Sequence, residues 1–337
     1  MYYNFDKLFS YNFLIAFVIG ERGVGKSFNS KVAMLKKFLR TGEQFVYIRR
    51  YKTELDTALD TFWDDLIANG LFEDHKLEVK KGKKLCKLMC DDKVCGYAVS
   101  LSTANVLKST SFPKVKTIVF DEFLLEGGGS HRYLRHEVTM FLDIIETVGR
   151  LRDIQVILLG NALNVHTSPY FAYWNLELPV GGKEFRTFKD GEIVVNYIRN
   201  EEYRKVKKAS RFGKLIEGTD YGRYAIDNEV MGESTDFICK RPPNSKFYGV
   251  VVFNGMCLGV WDGHDSRWYL SEKYDPNTQF KFVFNYTDHS EGTVFERARE
   301  NIFMVWLIRA YKRGLLMFES QKIKSNAVLV LNKCIAV

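Results

Sequence analysis

The chain has 337 residues, a formal net charge of +8 and 49 Lys and Arg against 41 Asp and Glu. Its 46% hydrophobic and 15% aromatic content excludes a disordered or low-complexity chain and suffices for two ordinary cores. No apolar run approaches the ~18 residues of a membrane span, and no basic n-region with a small-residue cleavage site opens the chain, so a cytoplasmic protein with reduced, scattered cysteines is expected.

The first strong element is Phe13-Leu14-Ile15-Ala16-Phe17-Val18-Ile19, a continuous apolar run of buried-strand length. It leads into Gly20-Glu21-Arg22-Gly23-Val24-Gly25-Lys26-Ser27, which matches G-x-x-x-x-G-K-[ST]. Apolar residues then return at helical spacing (Val32, Leu35, Phe38, Leu39). Strand, glycine turn and helix is the setting in which this motif grips phosphate: glycines let backbone N–H groups and the helix N-terminus converge on an anion. Gly20 to Phe28 are therefore candidate ATP contacts, with Lys26 on the β/γ-phosphates and Ser27 on Mg²⁺.

Gln44-Phe45-Val46-Tyr47-Ile48 is a second predicted strand, ending in Arg49-Arg50, and Thr53 to Leu71 reads as one helix. A hairpin is expected over residues 77–101, turning at Asp91-Asp92-Lys93. It carries Cys86, Cys90 and Cys95, which lack a fourth zinc ligand at recognised spacing and read as reduced strand cysteines. A short helix precedes Pro113. Thr117-Ile118-Val119-Phe120 then ends in Asp121-Glu122, as where a buried parallel strand emerges at its carboxyl end. Asp121 is the expected second metal ligand, and Glu122 the base that orients and deprotonates water. Gly127-Gly128-Gly129 reads as a loop, and a helix is expected over 132–148. It delivers Arg150 and Arg152 just before the strand Ile154 to Gly160. Asn161, at the end of that strand, is a candidate γ-phosphate sensor, although an Asn capping the next turn would have the same spacing. Short strands over 184–189 and 192–198 close the first part.

Two basic clusters stand out: Lys80, Lys81, Lys83 and Lys84 beside the hairpin, and Arg204, Lys205, Lys207, Lys208, Arg211 and Lys214 further on. Beside a phosphate-gripping motif they read as a track for nucleic-acid phosphates. The division expected is an ATPase domain over 1–200, a glycine-punctuated linker or lid over 201–232, and a β-rich domain over 233–337. In the last, strands flank Asn254-Gly255, a strong hairpin signal; Trp268-Tyr269-Leu270 and Phe280 to Phe284 add strands, and a helix is expected from Gly292 to Lys312. This order suggests a ribonuclease-H-like fold, but its first strand has no Asp or Glu, and Asp262, Asp288 and Glu296 do not rebuild a two-metal cluster. A binding module without nuclease activity is expected. The fold class is thus α/β: an ASCE-type P-loop NTPase, a parallel sheet with flanking helices, followed by a smaller α+β domain.

Nearly the whole chain resembles the DNA-packaging motor ATPases (encapsidation proteins) of small tailed phages of the phi-twenty-nine type. The resemblance is carried by Phe17 to Ser27, Gly42 to Tyr51, Thr117 to Phe123, Arg211 to Ile216 with Gly218-Thr219, and Asn254-Gly255 through Trp261. It implies a homomeric ring, a pentamer, at the portal vertex of an empty capsid, pumping double-stranded DNA inward, with a structural packaging RNA held by the carboxyl-terminal domain. It also implies that an arginine before the sensor strand enters the neighbouring subunit's ATP site. By position this is Arg150, with Arg152 the runner-up; Gly149 departs from a bulkier residue in the family pattern. A small-molecule P-loop kinase, or an assembly protein that binds ATP without hydrolysis, are the competing readings.

Overall fold

A strand buried along its whole length needs a neighbour on each edge and a packed layer on each face, and β1 (Ile15–Gly20) has both. The computed structural model describes residues 2–82, 85–125, 132–161, 165, 168–179, 183–219, 237–253, 255–279, 281–283, 288–295 and 302–336. These fall into two units, Met1–Met231 and Gly232–Val337. The first runs α1 (Asp6–Phe9), β1, α2 (Lys26–Thr41), β2 (Gln44–Arg49), α3 (Lys52–Asp60), α4 (Asp64–Ala68), β3 (Leu77–Lys80), β4 (Cys86–Cys90) and β5 (Lys93–Ser100). A 3₁₀ segment, Leu101–Ser109, leads to β6 (Val115–Asp121), α5 (Glu137–Gly149), β7 (Gln155–Asn161) and α6 (Pro169–Trp174). Then come β8 (Phe185–Phe188), β9 (Ile193–Tyr197), α7 (Glu201–Ala209) and α8 (Arg211–Ile216).

The nine strands form one sheet in the order β3-β4-β5-β2-β6-β7-β1-β9-β8, with β5, β2, β6, β7, β1 and β9 parallel. The period-2 alternation of side chains divides the core between its faces. Phe17, Ile118, Phe120, Val156 and Leu158 pack with Phe141, Ile144 and Val148 of α5. Ala16, Val18, Val119, Ile157 and Leu159 pack with Met34 and Leu35 of α2 and Leu55 and Leu59 of α3. The loop after β1 and the acids after β6 therefore share the carboxyl edge of one rigid layer.

Several expected boundaries shift. The helix predicted over Thr53 to Leu71 breaks after Asp60. Phe62 and Trp63, in the turn between α3 and α4, are both buried. The predicted hairpin is three strands, β3, β4 and β5, whose last member turns the antiparallel edge into the parallel sheet by pairing with β2. Cys86, Cys90 and Cys95 are buried in β4 and β5, and burial pushes the Cys90 thiol up to about 11. Among the described residues, only Cys90 of the three shares a ligand-like group, with His75 and Asp91. The helix expected from 132 begins at Glu137, and Gly127-Gly128-Gly129 lies outside the described residues.

In the second unit β10 (Lys246–Phe253), β11 (Met256–Asp262) and β12 (Trp268–Ser271) form an antiparallel meander. Parallel strands β13 (Lys281–Val283) and β14 (Thr293–Phe295) extend it beyond β10, and β15 (Leu316–Phe318) lies parallel to β12. Helices α9 (Ile302–Lys312) and α10 (Gln321–Ala336) complete the unit. The helix expected from Gly292 is thus a strand at its start, because Thr293, Val294 and Phe295 pair with β13. No described helix is long and apolar enough to cross a membrane.

Candidate nucleotide site

Strand register assembles the site. Gly20 of β1 pairs with Asn161 of β7, and Asp121 of β6 pairs with Leu159 of β7, so three neighbouring strands end together. The loop after β1 turns through Gly23 (φ +94°) and Gly25 (φ +82°), conformations that disfavour side chains. Tyr203 of α7 presses on the loop: a Cβ at Gly23 would lie 2.1 Å from its hydroxyl. Between this loop and the acidic strand end lies a cavity of about 360 Å³, lined by Gly23, Lys26, Ser27, Asp121, Glu122 and Asn161 among others.

Lys26, at the start of α2, folds back over the loop. Its Nζ donates to the carbonyls of Gly20 (3.0 Å) and Glu21 (2.8 Å) and to Asn161 Oδ1 (3.3 Å). Burial lowers its pKa to about 8, against the pull of Asp121 and Glu21. Phosphate oxygens would compete with these neutral acceptors for the same three protons. Asn161 thus sits within reach of Lys26, the position asked of a sensor.

Ser27 Oγ donates to Asp121 Oδ1 at 2.8 Å, and Tyr47 Oη donates to Asp121 Oδ2 at 2.9 Å. A hydroxyl and a carboxylate converging at the loop are hard oxygen donors, which fits Mg²⁺. Tyr47 is fully buried, and burial, then the Asp121 charge, holds its phenol well above its ordinary range.

Glu122 follows in a left-handed turn (φ +60°) with its side chain 58% exposed. Its Oε2 forms an ion pair with Arg49 Nη1 at 2.6 Å. The turn is held from behind by Arg50, 1% exposed, which donates to the carbonyls of Glu122 (3.1 Å) and Phe123 (2.5 Å). Arg50 also meets Glu137 with two parallel bonds, Nε to Oε2 at 2.9 Å and Nη2 to Oε1 at 3.0 Å. Tyr170 Oη and the Leu134 N–H complete the Glu137 carboxylate. Such unfavoured turns persist where their surroundings over-determine them, and here a buried ion pair does so.

Arg150 is exposed just past α5, at φ +52°. Arg152 points elsewhere: its guanidinium donates to the carbonyls of Phe112, Pro113, Val115 and Val148, so it clamps its own subunit. A Cβ at Gly149 would lie 2.8 Å from the tip of the Ile154 side chain, which would have to shift.

The second basic cluster divides. Lys205, Lys208 and Arg211 are exposed. Arg204 is partly buried, and its Nε meets Glu21 Oε1 at 2.5 Å, tying it to the loop after β1. In the first cluster Lys80 is exposed and Lys81 pairs with Asp60, while Lys83 and Lys84 lie outside the described residues. The residues that sequence reasoning missed are Arg49, Arg50, Tyr47 and Glu137. The paired arginines ending β2 were visible as a pattern, but Glu137 is 87 positions from Arg50 and carried no signal.

Comparison with known proteins now decides the family. Residues 1–335 match the profile of the podovirus DNA encapsidation protein (Gp16). The chain belongs to this family. It is 36% identical to the DNA packaging protein of Bacillus phage phi29 over 336 residues, 99% of this chain and 98% of the relative. Its structure is similar to a chain of the bacteriophage phi-29 viral genome packaging motor assembly, with a TM-score of 0.78, 35% identity and 99% of each chain covered. The crystal structure of the N-terminal domain of the phi29 DNA packaging ATPase matches 60% of this chain and 98% of its own, at 37% identity and a TM-score of 0.53. Membership makes the chain a phage DNA-packaging ATPase, and the P-loop fold expected from the sequence is the fold of the first unit.

Proposed function

We propose that this encapsidation-family chain hydrolyses ATP·Mg²⁺ in a homomeric ring, a pentamer, at the capsid portal vertex in the host cytoplasm, and that turnover drives double-stranded DNA inward. The observation that carries the reading is the convergence of Lys26, Asn161, Ser27 and Asp121 at three adjacent strand ends. In this reading the loop from Gly20 to Phe28 cradles the phosphates, and Lys26 and Asn161 address the terminal one. Ser27 and Asp121 hold Mg²⁺, which when bound offsets phosphate charge. Glu122 accepts a proton from the attacking water once it has left Arg49. Arg150, exposed just past α5, reaches a neighbour's ATP, where a guanidinium spreads charge off the γ-phosphoryl group.

The exposed Lys80, Lys205, Lys208 and Arg211, with Lys81, Lys83 and Lys84, contact nucleic-acid phosphates without reading sequence. The second unit serves as the portal- and RNA-facing module. Measuring turnover with and without double-stranded DNA, alongside particle mass, tests the whole. Mg²⁺-dependent hydrolysis by an oligomer, stimulated by duplex DNA, is expected; a monomer whose turnover ignores DNA would overturn it.

A further inference from the structure

Glu21 puts a buried carboxylate into the loop after β1. Its side chain is 1% exposed, a second carboxylate within the electrostatic reach of Lys26, which lines the cavity at the loop. An anion there opposes the ligand unless it is neutralised. The neutralising group comes from α7: Arg204 Nε lies 2.5 Å from Glu21 Oε1, while Glu21 Oε2 is buried with no hydrogen-bond partner. The same helix is tied to the loop twice more. Tyr203 Oη and Lys207 Nζ each donate to the Arg22 carbonyl, both at 3.2 Å. Asn200 caps α7 by accepting from the Tyr203 N–H at 2.9 Å, which fixes where Tyr203 and Arg204 stand.

We infer that Arg204 is a charge-compensating residue of the nucleotide site: by pairing with Glu21 it lets a loop containing a buried carboxylate accept ATP. The inference rests on the nucleotide reading of the loop and adds an element to it, since α7 lies outside the phosphate motif. Removing Arg204 leaves Glu21 unpaired next to the incoming phosphates, a larger penalty than losing an attraction. The penalty is greater for ATP than for ADP because the γ-phosphate adds charge. It disappears when Glu21 is made neutral.

The test is a set of full-length proteins titrated with Mg·ATP and Mg·ADP: wild type, Arg204→Ala, Arg204→Lys, Glu21→Gln, and Arg204→Ala with Glu21→Gln, each checked for folding by thermal melting. Arg204→Ala should weaken ATP binding by on the order of tenfold or more. ADP binding should weaken less, and Arg204→Lys should hold most of the wild-type affinity. The double variant should return to within about threefold of wild type, because the cycle isolates the pair. If Arg204→Ala binds ATP like wild type, or the double variant stays as weak as Arg204→Ala, α7 merely packs on the loop and the inference is wrong. Should Arg204→Ala not fold, Glu21→Gln alone decides: affinity at or above wild type supports the inference, and weaker binding overturns it. A folded wild-type protein that binds neither nucleotide would sink the site reading itself, a different failure.

Discussion

The Arg49 guanidinium and the Glu122 carboxylate meet at 2.6 Å, so the residue we propose as base is held by a cation at the end of the adjacent strand β2. Arg49 is 15% exposed and Glu122 58%, so the acid is the partner free to swing.

Glu122→Gln keeps shape and removes basicity. It should bind Mg·ATP within about threefold of wild type and lose turnover by at least about a hundredfold, in the range general-base catalysis contributes. Single-turnover hydrolysis beside equilibrium nucleotide binding separates the two effects. Wild-type turnover in Glu122→Gln would take this residue out of its role.

Lys26 makes binding depend on pH. Its folded pKa of about 8 lies below the ordinary 10.5, so the free site begins to lose its cation as pH rises through 8. Bound phosphate favours the ammonium. ATP affinity should therefore be flat below pH 7.5 and fall above 8, approaching about tenfold per pH unit, with proton uptake on binding. Calorimetry in buffers of different ionisation enthalpy measures that uptake; none at pH 8.5 would contradict the assignment.

The same shift has a stability side. Keeping a buried ammonium charged costs the folded state, on the order of 3 kcal/mol, below pH 8, and the cost fades as pH rises from 8 towards 10.5. Lys26→Met should abolish ATP binding at pH 7 yet melt no lower than wild type. A sharp fall in Tm would show that its carbonyl contacts outweigh its desolvation.

Arg50→Ala leaves the Glu137 carboxylate buried without its cation and frees the Glu122 and Phe123 carbonyls. It should cost about 3–5 kcal/mol in chemical denaturation. Replacing both partners, Arg50→Met with Glu137→Leu, should cost less than Arg50→Ala alone and still impair hydrolysis, because the left-handed turn at Glu122 loses its support.

Arg150→Ala should be inactive alone and regain turnover when mixed with Glu122→Gln subunits, since a mixed interface can join an intact Arg150 to an intact Glu122. Arg152→Ala should instead lower Tm, because its guanidinium bridges carbonyls of its own subunit. Absence of rescue at every mixing ratio would refute a shared site.

What the chain declared by itself is local. The loop from Gly20 to Ser27 is legible because its chemistry needs consecutive residues: glycines for the turn, then a lysine and a hydroxyl on the first helical turn. The acids at Asp121 and Glu122 are legible because a buried strand announces where it surfaces. What only the folded chain decided are meetings across long separations. Arg50 with Glu137, Arg204 with Glu21 and Tyr47 with Asp121 join segments that share no periodicity, and each depends on sheet order and on which helix lies over which strand end. A charged residue looks the same in sequence whether it faces solvent or neutralises a buried partner. Arg204 read as part of an outward basic run for that reason, and only the packing of α7 on the phosphate loop turned it inward.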